Sequence, residues 1–324
     1  MSLICLILWG QLAFQPEGSF RPSELAHTYS IVAVDPETGQ MGGAVQSHWF
    51  SVGSSVLWAE PGVGVVATQS LTRIDYGPLG LAKMAAGTSP AEALKGLVAA
   101  DPGEALRQVA MVRHDGSVAA HTGKNCIAQV CDQQAAGVSV QANLMLKSTV
   151  CAAMLKAYHA TKGSLADRLT AALAAAQAEG GDLRGQQSAA MVIVDLKKPE
   201  RAWEGRVLDL RVEDHPDPVA ELKRLVAVHQ AYQRMNESDH ALEKGETERA
   251  LALLKEAVAA LPGRLEPRFW QAFNLIKLGK QEEGLAIWRD IMVQDANWKV
   301  LPERLMNSGL MDHDPELLKK IATF

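Results

Sequence analysis

Over the first two thirds of the chain, short Val- and Ala-rich runs bounded by Gly, Pro or Asp read as strands. They are TYSIVAVD (residues 28–35), QMGGAVQS (40–47), GSSVLWA (53–59) and VGVVATQS (63–70). The apolar spacing then lengthens to a helical period. YGPLGLAKMAAG starts a helix after Asp75, which stands at its N-cap. SPAEALKGLVAAD sets Ser89 as N-cap, Pro90 at the first helical position and Glu92 three residues after the cap, a capping box. Strands return in RQVAMVRHDGSVAAHTG, turning at Asp115-Gly116, and in GVSVQAN. Two Ala-rich helices are expected around 148–162 and 164–179, and SAAMVIVDL and GRVLDLRV close the series as strands.

The order is four strands, two helices, about three strands, two helices and two strands. Strands in adjacent runs point to largely antiparallel sheets, hence an α+β fold. A four-layer α-β-β-α sandwich accommodates the two helix blocks on two outer faces; a generic α+β domain fits the same order. After EDHPDP the strand signals stop, Asp217 and Pro218 start a helix, and the rest reads helical. GETERALALLKEAV from Gly245 and GKQEEGLAIWRDIM from Gly279 align without gaps at 34 residues, the tetratricopeptide period. The expected divisions are a leader or propeptide-like stub (1–27), a sandwich (28–229) and a helical tetratricopeptide-like annex (230–324). The annex is structural or docks a protein partner.

A chain of 324 residues, 48% hydrophobic and 21% charged, can bury a substantial core. A net charge of −5 argues against a nucleic-acid partner. No apolar run reaches the roughly 18 residues of a membrane span. The cysteines are Cys5, Cys126, Cys131 and Cys151. The Cys126/Cys131 pair lacks a second pair or a His doublet, so zinc is not expected. Buried or free thiols are the favoured reading, with a Cys126–Cys131 disulfide only in an exported protein. Residues 3–14, LICLILWGQLAF, have the length of a signal-peptide core, yet no Lys or Arg precedes them and ELAH is a poor cleavage site. A signal peptide would make the protein periplasmic or extracellular; otherwise it is cytoplasmic.

The turn at Asp35-Pro36-Glu37-Thr38-Gly39-Gln40 centres a hairpin that sets Val34 opposite Met41 and Thr28 opposite Ser47. A second turn at Glu60-Pro61-Gly62 sets Gln69 opposite Gly53, so Thr28, Ser47 and Gln69 are expected at one edge of one sheet. A threonine at a strand start is ordinarily a β-branched residue in a preferred place. If the bond before Thr28 is cut, however, the residue gains an α-amine of pKa about 7.7–8.0 that can take its own hydroxyl proton. Nucleophile and base then share one residue, and no metal or organic cofactor is required. Ser47 and Gln69 are expected to orient the amine or a water. Ser47 as nucleophile in its own right has no well-placed base.

The segments TYSIVAVDPETGQMGGAVQS, GVGVVATQS, YGPLGLAKMAAGTSPAEALKGLVAADP, VAAHTG, GVSVQANLM, GGDLRGQQSAAMVIV and LDLRVEDHPDPVAELKRL together resemble the domain-of-unknown-function family 1028 over about Thr28 to His229. The resemblance implies an N-terminal-nucleophile hydrolase-like fold, the α-β-β-α sandwich. Members often open with Met-Thr or with a signal peptide directly before the Thr; this chain departs by carrying the stub 1–27.

The loop GGDLRGQQSAAM can present N–H groups to an oxyanion, with Arg184 binding a substrate carboxylate and Gln187 and Ser188 at its end; the alternative is a helix C-cap and turn. His121 and Asn143 end their strands and are candidates for the same pocket, Asn143 as an oxyanion donor. Strand-end His and Asn are also ordinary turn residues. Tyr76 is expected over the Thr28 pocket. His48 points away from Ser47 by alternation. Asp214, His215 and Asp217 suggest helix capping rather than a metal trio. No G-x-G-x-x-G or P-loop is present, so no nucleotide is expected. The leading reading is an amidohydrolase acting on a small-molecule amide or related C–N bond. The competing one is a catalytically silent scaffold whose annex docks a partner. A homo-oligomer is compatible with both.

Overall fold

The turn at residues 36–39 sets the register of the first hairpin. The computed structural model describes residues 24–26, 28–201 and 203–324; Cys5 and the apolar stretch 3–14 lie outside them. A short strand β1 (Glu24–Ala26) is followed one residue later by β2 (Thr28–Asp35), which pairs antiparallel with β3 (Gln40–Ser47). Thr28 lies opposite Ser47 and Val34 opposite Met41, as the hairpin arithmetic requires.

Two antiparallel sheets follow. One takes β1, β4 (Leu57–Glu60), β5 (Gly64–Thr72), β6 (Arg107–Arg113) and β7 (Val118–Thr122). In it β6 lines one edge of β5, while β4 and β1 share the other, at residues 64–67 and 70–72. The second sheet adds β8 (Cys131–Ala135), β9 (Val138–Ala142), β10 (Ser188–Asp195) and β11 (Arg206–Val212) in the order β11-β10-β3-β2-β9-β8. Alternation turns Val32, Val45 and Val192 of this sheet toward Val65, Ala67 and Val112 of the other, forming a core between the sheets. The outer face of the five-stranded sheet packs Val66, Val109 and Met111 under α1 (Tyr76–Ala85) and α2 (Pro90–Ala99). The opposite outer face packs Ile31, Val140 and Met191 under α3 (Val150–Ala160), α4 (Leu165–Ala178) and the start of α5 (Pro218–Glu243).

The capping box at Ser89 and Glu92 forms as the sequence requires, and Ser164 with Asp167 builds a second one on α4. Asp217 caps α5, accepting from Ala220 N at 3.1 Å, and no metal-binding cluster occurs among the described residues. Asp75 stands at the N-cap of α1, but its carboxylate pairs with Arg73 at 2.7 Å and makes no cap bond.

The structure corrects three expectations. GSSVLWA is a strand only from Leu57, because a 3-10 turn at Val52–Ser54 carries the chain from one sheet to the other. Leu57 therefore lies opposite Ala67, and Gln69 pairs with Gln108 on the five-stranded sheet rather than sharing a sheet with Thr28 and Ser47. Strand β8, CDQQA, escapes the sequence reading because this edge strand is polar and half-exposed, without the apolar alternation that marks a strand. Finally, the disulfide is Cys131–Cys151, tying β8 to α3, and Cys126 is a buried free thiol. A turn after Cys131 and the climb into α3 bring sequence-distant sulfurs together, which spacing alone does not reveal. Its loop of 20 residues predicts that Cys151→Ser costs about 3 kcal/mol, read as a lower urea midpoint with a steeper slope, because the unfolded chain without its crosslink exposes more surface.

Beyond the sandwich the chain is helical: α6 (Thr247–Ala260), α7 (Leu265–Lys277), α8 (Gln281–Gln294), α9 (Leu301–Asn307) and α10 (Pro315–Ala322). The 34-residue repeat has a structural counterpart. Gly245 and Gly279 both adopt left-handed backbone, at φ 75° and 79°. Each is followed by the same back-bond, Glu246 N to Ala241 O and Lys280 N to Leu275 O. Helix α5 runs unbroken through the expected 229/230 boundary: Leu222 and Val226 join the sandwich cluster, whereas Ala231 and Met235 join α6.

Candidate active site

The space between the sheets changes character along its length. At the hairpin-turn end it is aliphatic. At the other end the same inward positions carry Thr28, Ser30 and Ser47, facing Gln69 and Gln108 of the opposite sheet, all fully buried. Register places Thr28, Ser47 and Ser188 side by side on three neighbouring strands.

Thr28 Oγ1 donates to Ser47 Oγ at 3.2 Å. Its carbonyl oxygen accepts from Gln69 Nε2 at 3.2 Å, from Asn143 Nδ2 at 3.4 Å and from the Asn143 backbone N–H at 3.1 Å. Gln69 Nε2 also donates to Gln108 Oε1 at 2.8 Å, and Asn143 Nδ2 to the same oxygen at 3.0 Å. Ser30 Oγ donates to Gln69 Oε1 and accepts from Gln141 Nε2, each at 2.6 Å. Gln108 Nε2 reaches Thr122 Oγ1 at 3.1 Å and Ala142 O at 3.2 Å. Donors and acceptors alternate, so one orientation of each amide satisfies the next, and the network holds the Thr28 backbone from both sheets. These partners of Thr28 are neutral hydroxyl and amide groups, and none of them is a base.

The other expected site residues separate into those near this row and those on the far side of the five-stranded sheet. Ser188 is buried, accepts from Val52 N at 3.0 Å and donates to Trp49 O, so it anchors the turn after β3. Gln187 continues the ladder, its N–H donating to Ser47 O at 3.1 Å. Arg184 pairs with Asp182 at 2.8 Å, and Asp182 also accepts from His48 N at 3.3 Å. Tyr76 and His121 do not reach Thr28. Alternation sends His121 to the outer face, and Tyr76 lies there because it opens α1, which packs on that face; His121 Nε2 lies 3.2 Å from Glu104 Oε2 and the Tyr76 hydroxyl donates to Asp101 Oδ2 at 3.1 Å. Thr122, the neighbour of His121, takes the inward position. Burial, then the Asp101 carboxylate, push the Tyr76 phenol well above its ordinary pKa. Burial also raises the Cys126 thiol, keeping it protonated.

Ser30, Gln108, Thr122 and Gln141 were not singled out from the sequence. For Gln108 and Thr122 the signal was available, since the other inward positions of their strands, Ala110 and Val112, Val118 and Ala120, are apolar; Ser30 shares its inward face with Thr28, and on β9 Gln141 shares it with Ser139 alone. A groove of about 560 Å³ lies elsewhere, where the sandwich meets α5 and α6, lined by Gln40, Ser164, His229, Gln233, Glu237 and Glu256.

Comparison with known proteins agrees with the fold. The crystal structure of protein SPO2555 from Silicibacter pomeroyi, titled as a DUF1028 family structure, superposes with a TM-score of 0.56 at 31% sequence identity. The match covers 61% of this chain and 87% of that one. No curated protein matches. The model described as Family of unknown function (DUF1028) matches residues 28–222, which spans the two sheets apart from β1, their helices and the start of α5. The chain belongs to this family of unknown function, DUF1028.

Proposed function

We propose that the two-sheet region is an N-terminal-nucleophile amidohydrolase, a four-layer α-β-β-α sandwich, whose nucleophile is Thr28 after removal of residues 1–27. The observation that carries the reading is the position of Thr28. It opens a central strand at the polar rim of the inter-sheet space, with its hydroxyl on Ser47 and its carbonyl clamped by Gln69 and Asn143. Removal of residues 1–27 would add the base those neutral partners lack, since the new α-amine titrates near neutrality. Thr28 Oγ then attacks the amide carbonyl and its proton passes to the amine. The C–N bond breaks as that proton moves to the leaving nitrogen, and water hydrolyses the acyl ester. Ser47 orients the hydroxyl. Gln69 and Asn143 hold the backbone that carries it, their N–H groups being engaged by the Thr28 carbonyl and Gln108. The Cys131–Cys151 disulfide favours export, because such bonds persist in oxidising compartments. Residues 230–324 form a tetratricopeptide-like annex for a protein partner.

The competing reading, a silent sandwich acting as a scaffold, is favoured by one observation: Thr28 is 0% exposed in the intact chain. Intact-mass measurement of protein isolated from its own host separates the two. A mature N-terminus at Thr28 is expected for the hydrolase. A retained stub sinks it in favour of the scaffold.

A further inference from the structure

We infer that the substrate of the processed protein is a short peptide lying extended along residues 70–72 of β5, in the place that β1 holds in the intact chain; this rests on the nucleophile reading above. The edge of β5 opposite β6 is closed in two pieces. β4 covers residues 64–67, and Thr68 N donates to Val56 O at 3.0 Å. The remainder is closed by β1, antiparallel, with Ala26 opposite Ser70, Leu25 opposite Leu71 and Glu24 opposite Thr72. Loss of residues 1–27 leaves that stretch of backbone without its ladder partner, and a bare edge is a template for another strand.

The direction of β1 selects the ligand. It runs toward Thr28 and ends two residues before it. An acyl donor must bring its carbonyl to the same residue, and a peptide on the track of β1 does so with its C-terminal side leading. The acyl group is therefore a peptide with at least four residues before the scissile amide, three laddered on residues 70–72 and one that carries the reacting carbonyl to Thr28, recognised through its main chain. The edge is also stiff. Arg107 Nη1 donates to Leu71 O at 2.6 Å, and Arg107 Nε to the fully buried Asp101 carboxylate at 2.9 Å. Ser70 is held at φ 72°, a left-handed conformation unusual for a non-glycine residue, which turns the strand at this point. At the end of the edge Thr72 Oγ1 is buried with no hydrogen-bond partner among the described residues.

The test uses protein isolated from its own host, checked by intact mass, and a synthetic peptide of residues 23–27, SELAH, as its C-terminal amide. Binding is expected, with slowed amide hydrogen exchange at residues 70–72. The same peptide N-methylated at Glu24, Leu25 and Ala26 loses its ladder donors whichever pairs are bonded, and should bind about tenfold more weakly. Processed protein that shows no protection at 70–72, or that binds both peptides equally, overturns this inference and leaves Thr28 as nucleophile. A retained stub overturns both.

Discussion

Thr28→Ala removes the turnover of any amide the processed protein cleaves, by roughly 10⁴-fold or more, whereas Thr28→Ser retains it within about tenfold. The proposed chemistry needs a hydroxyl and an amine on one residue, and serine supplies both. The alanine variant should still fold. Thr28 Oγ1 makes a hydrogen bond to Ser47, and its loss costs about 1 kcal/mol, small beside the buried surface of the sandwich. Its strand pairing and its carbonyl contacts with Gln69 and Asn143 involve backbone that alanine keeps. Kinetics on an amide found by library screening, with urea unfolding alongside, give the answer. Unchanged turnover in a folded Thr28→Ala protein rules out the nucleophile. The mass of that variant matters too, because a stub kept only when the hydroxyl is missing marks the cut as self-catalysed.

Arg107→Met should destabilise the folded chain by about 3–5 kcal/mol, the usual cost of breaking a buried ion pair from one side. Arg107 is 1% exposed, and the side chain of Asp101 is wholly buried. Burial by itself raises the Asp101 pKa. The Arg107 guanidinium, the Gly103 N–H at 2.9 Å and Arg73 at 3.3 Å outweigh it and hold the carboxyl below its ordinary value. A carboxyl depressed in the folded state adds stability above its unfolded pKa of about 3.9 and loses it as pH falls through the folded value. Wild-type protein should therefore lose this contribution only in acid below that range, and the variant should lack it at neutral pH. Urea midpoints from pH 3 to pH 7 would measure the difference. A neutral Arg107→Met at pH 7 would mean that Arg73 alone compensates the buried charge. The same substitution frees Leu71 O, so it should also loosen the edge of β5 in hydrogen exchange.

Much of the framework is local and was legible in the chain. The hairpin of β2 and β3 closes through a tight turn, so counting outward from it suffices to bring Thr28 opposite Ser47. The capping box at Ser89 and the paired glycines at Gly245 and Gly279 likewise depend on residues a few positions apart. The polar rim was partly legible: Thr28, Ser47, Gln69 and Asn143 were expected, and Gln108 stands in a strand whose inward periodicity marked it equally, whereas Gln141 lies on β9, where the inward positions are both polar and carry no such mark.

Which residues meet across the gap was a different matter. Turn arithmetic treats a strand and its neighbour as one sheet, so Gln69 was assigned beside Thr28 rather than facing it, and buried or free thiols were favoured where Cys131 and Cys151 are in fact bonded. Strand alternation and turn geometry are properties of a few consecutive residues and survive being read alone. Sheet stacking depends on the direction the chain takes after each turn, as at Val52–Ser54, and on the free energy of burying whole faces together. The sequence by itself determined the first hairpin, the helix starts and the repeat. The tertiary structure alone decided that Gln69 and Gln108 close over Thr28 from the opposite sheet, and that β1 seals the edge beside it.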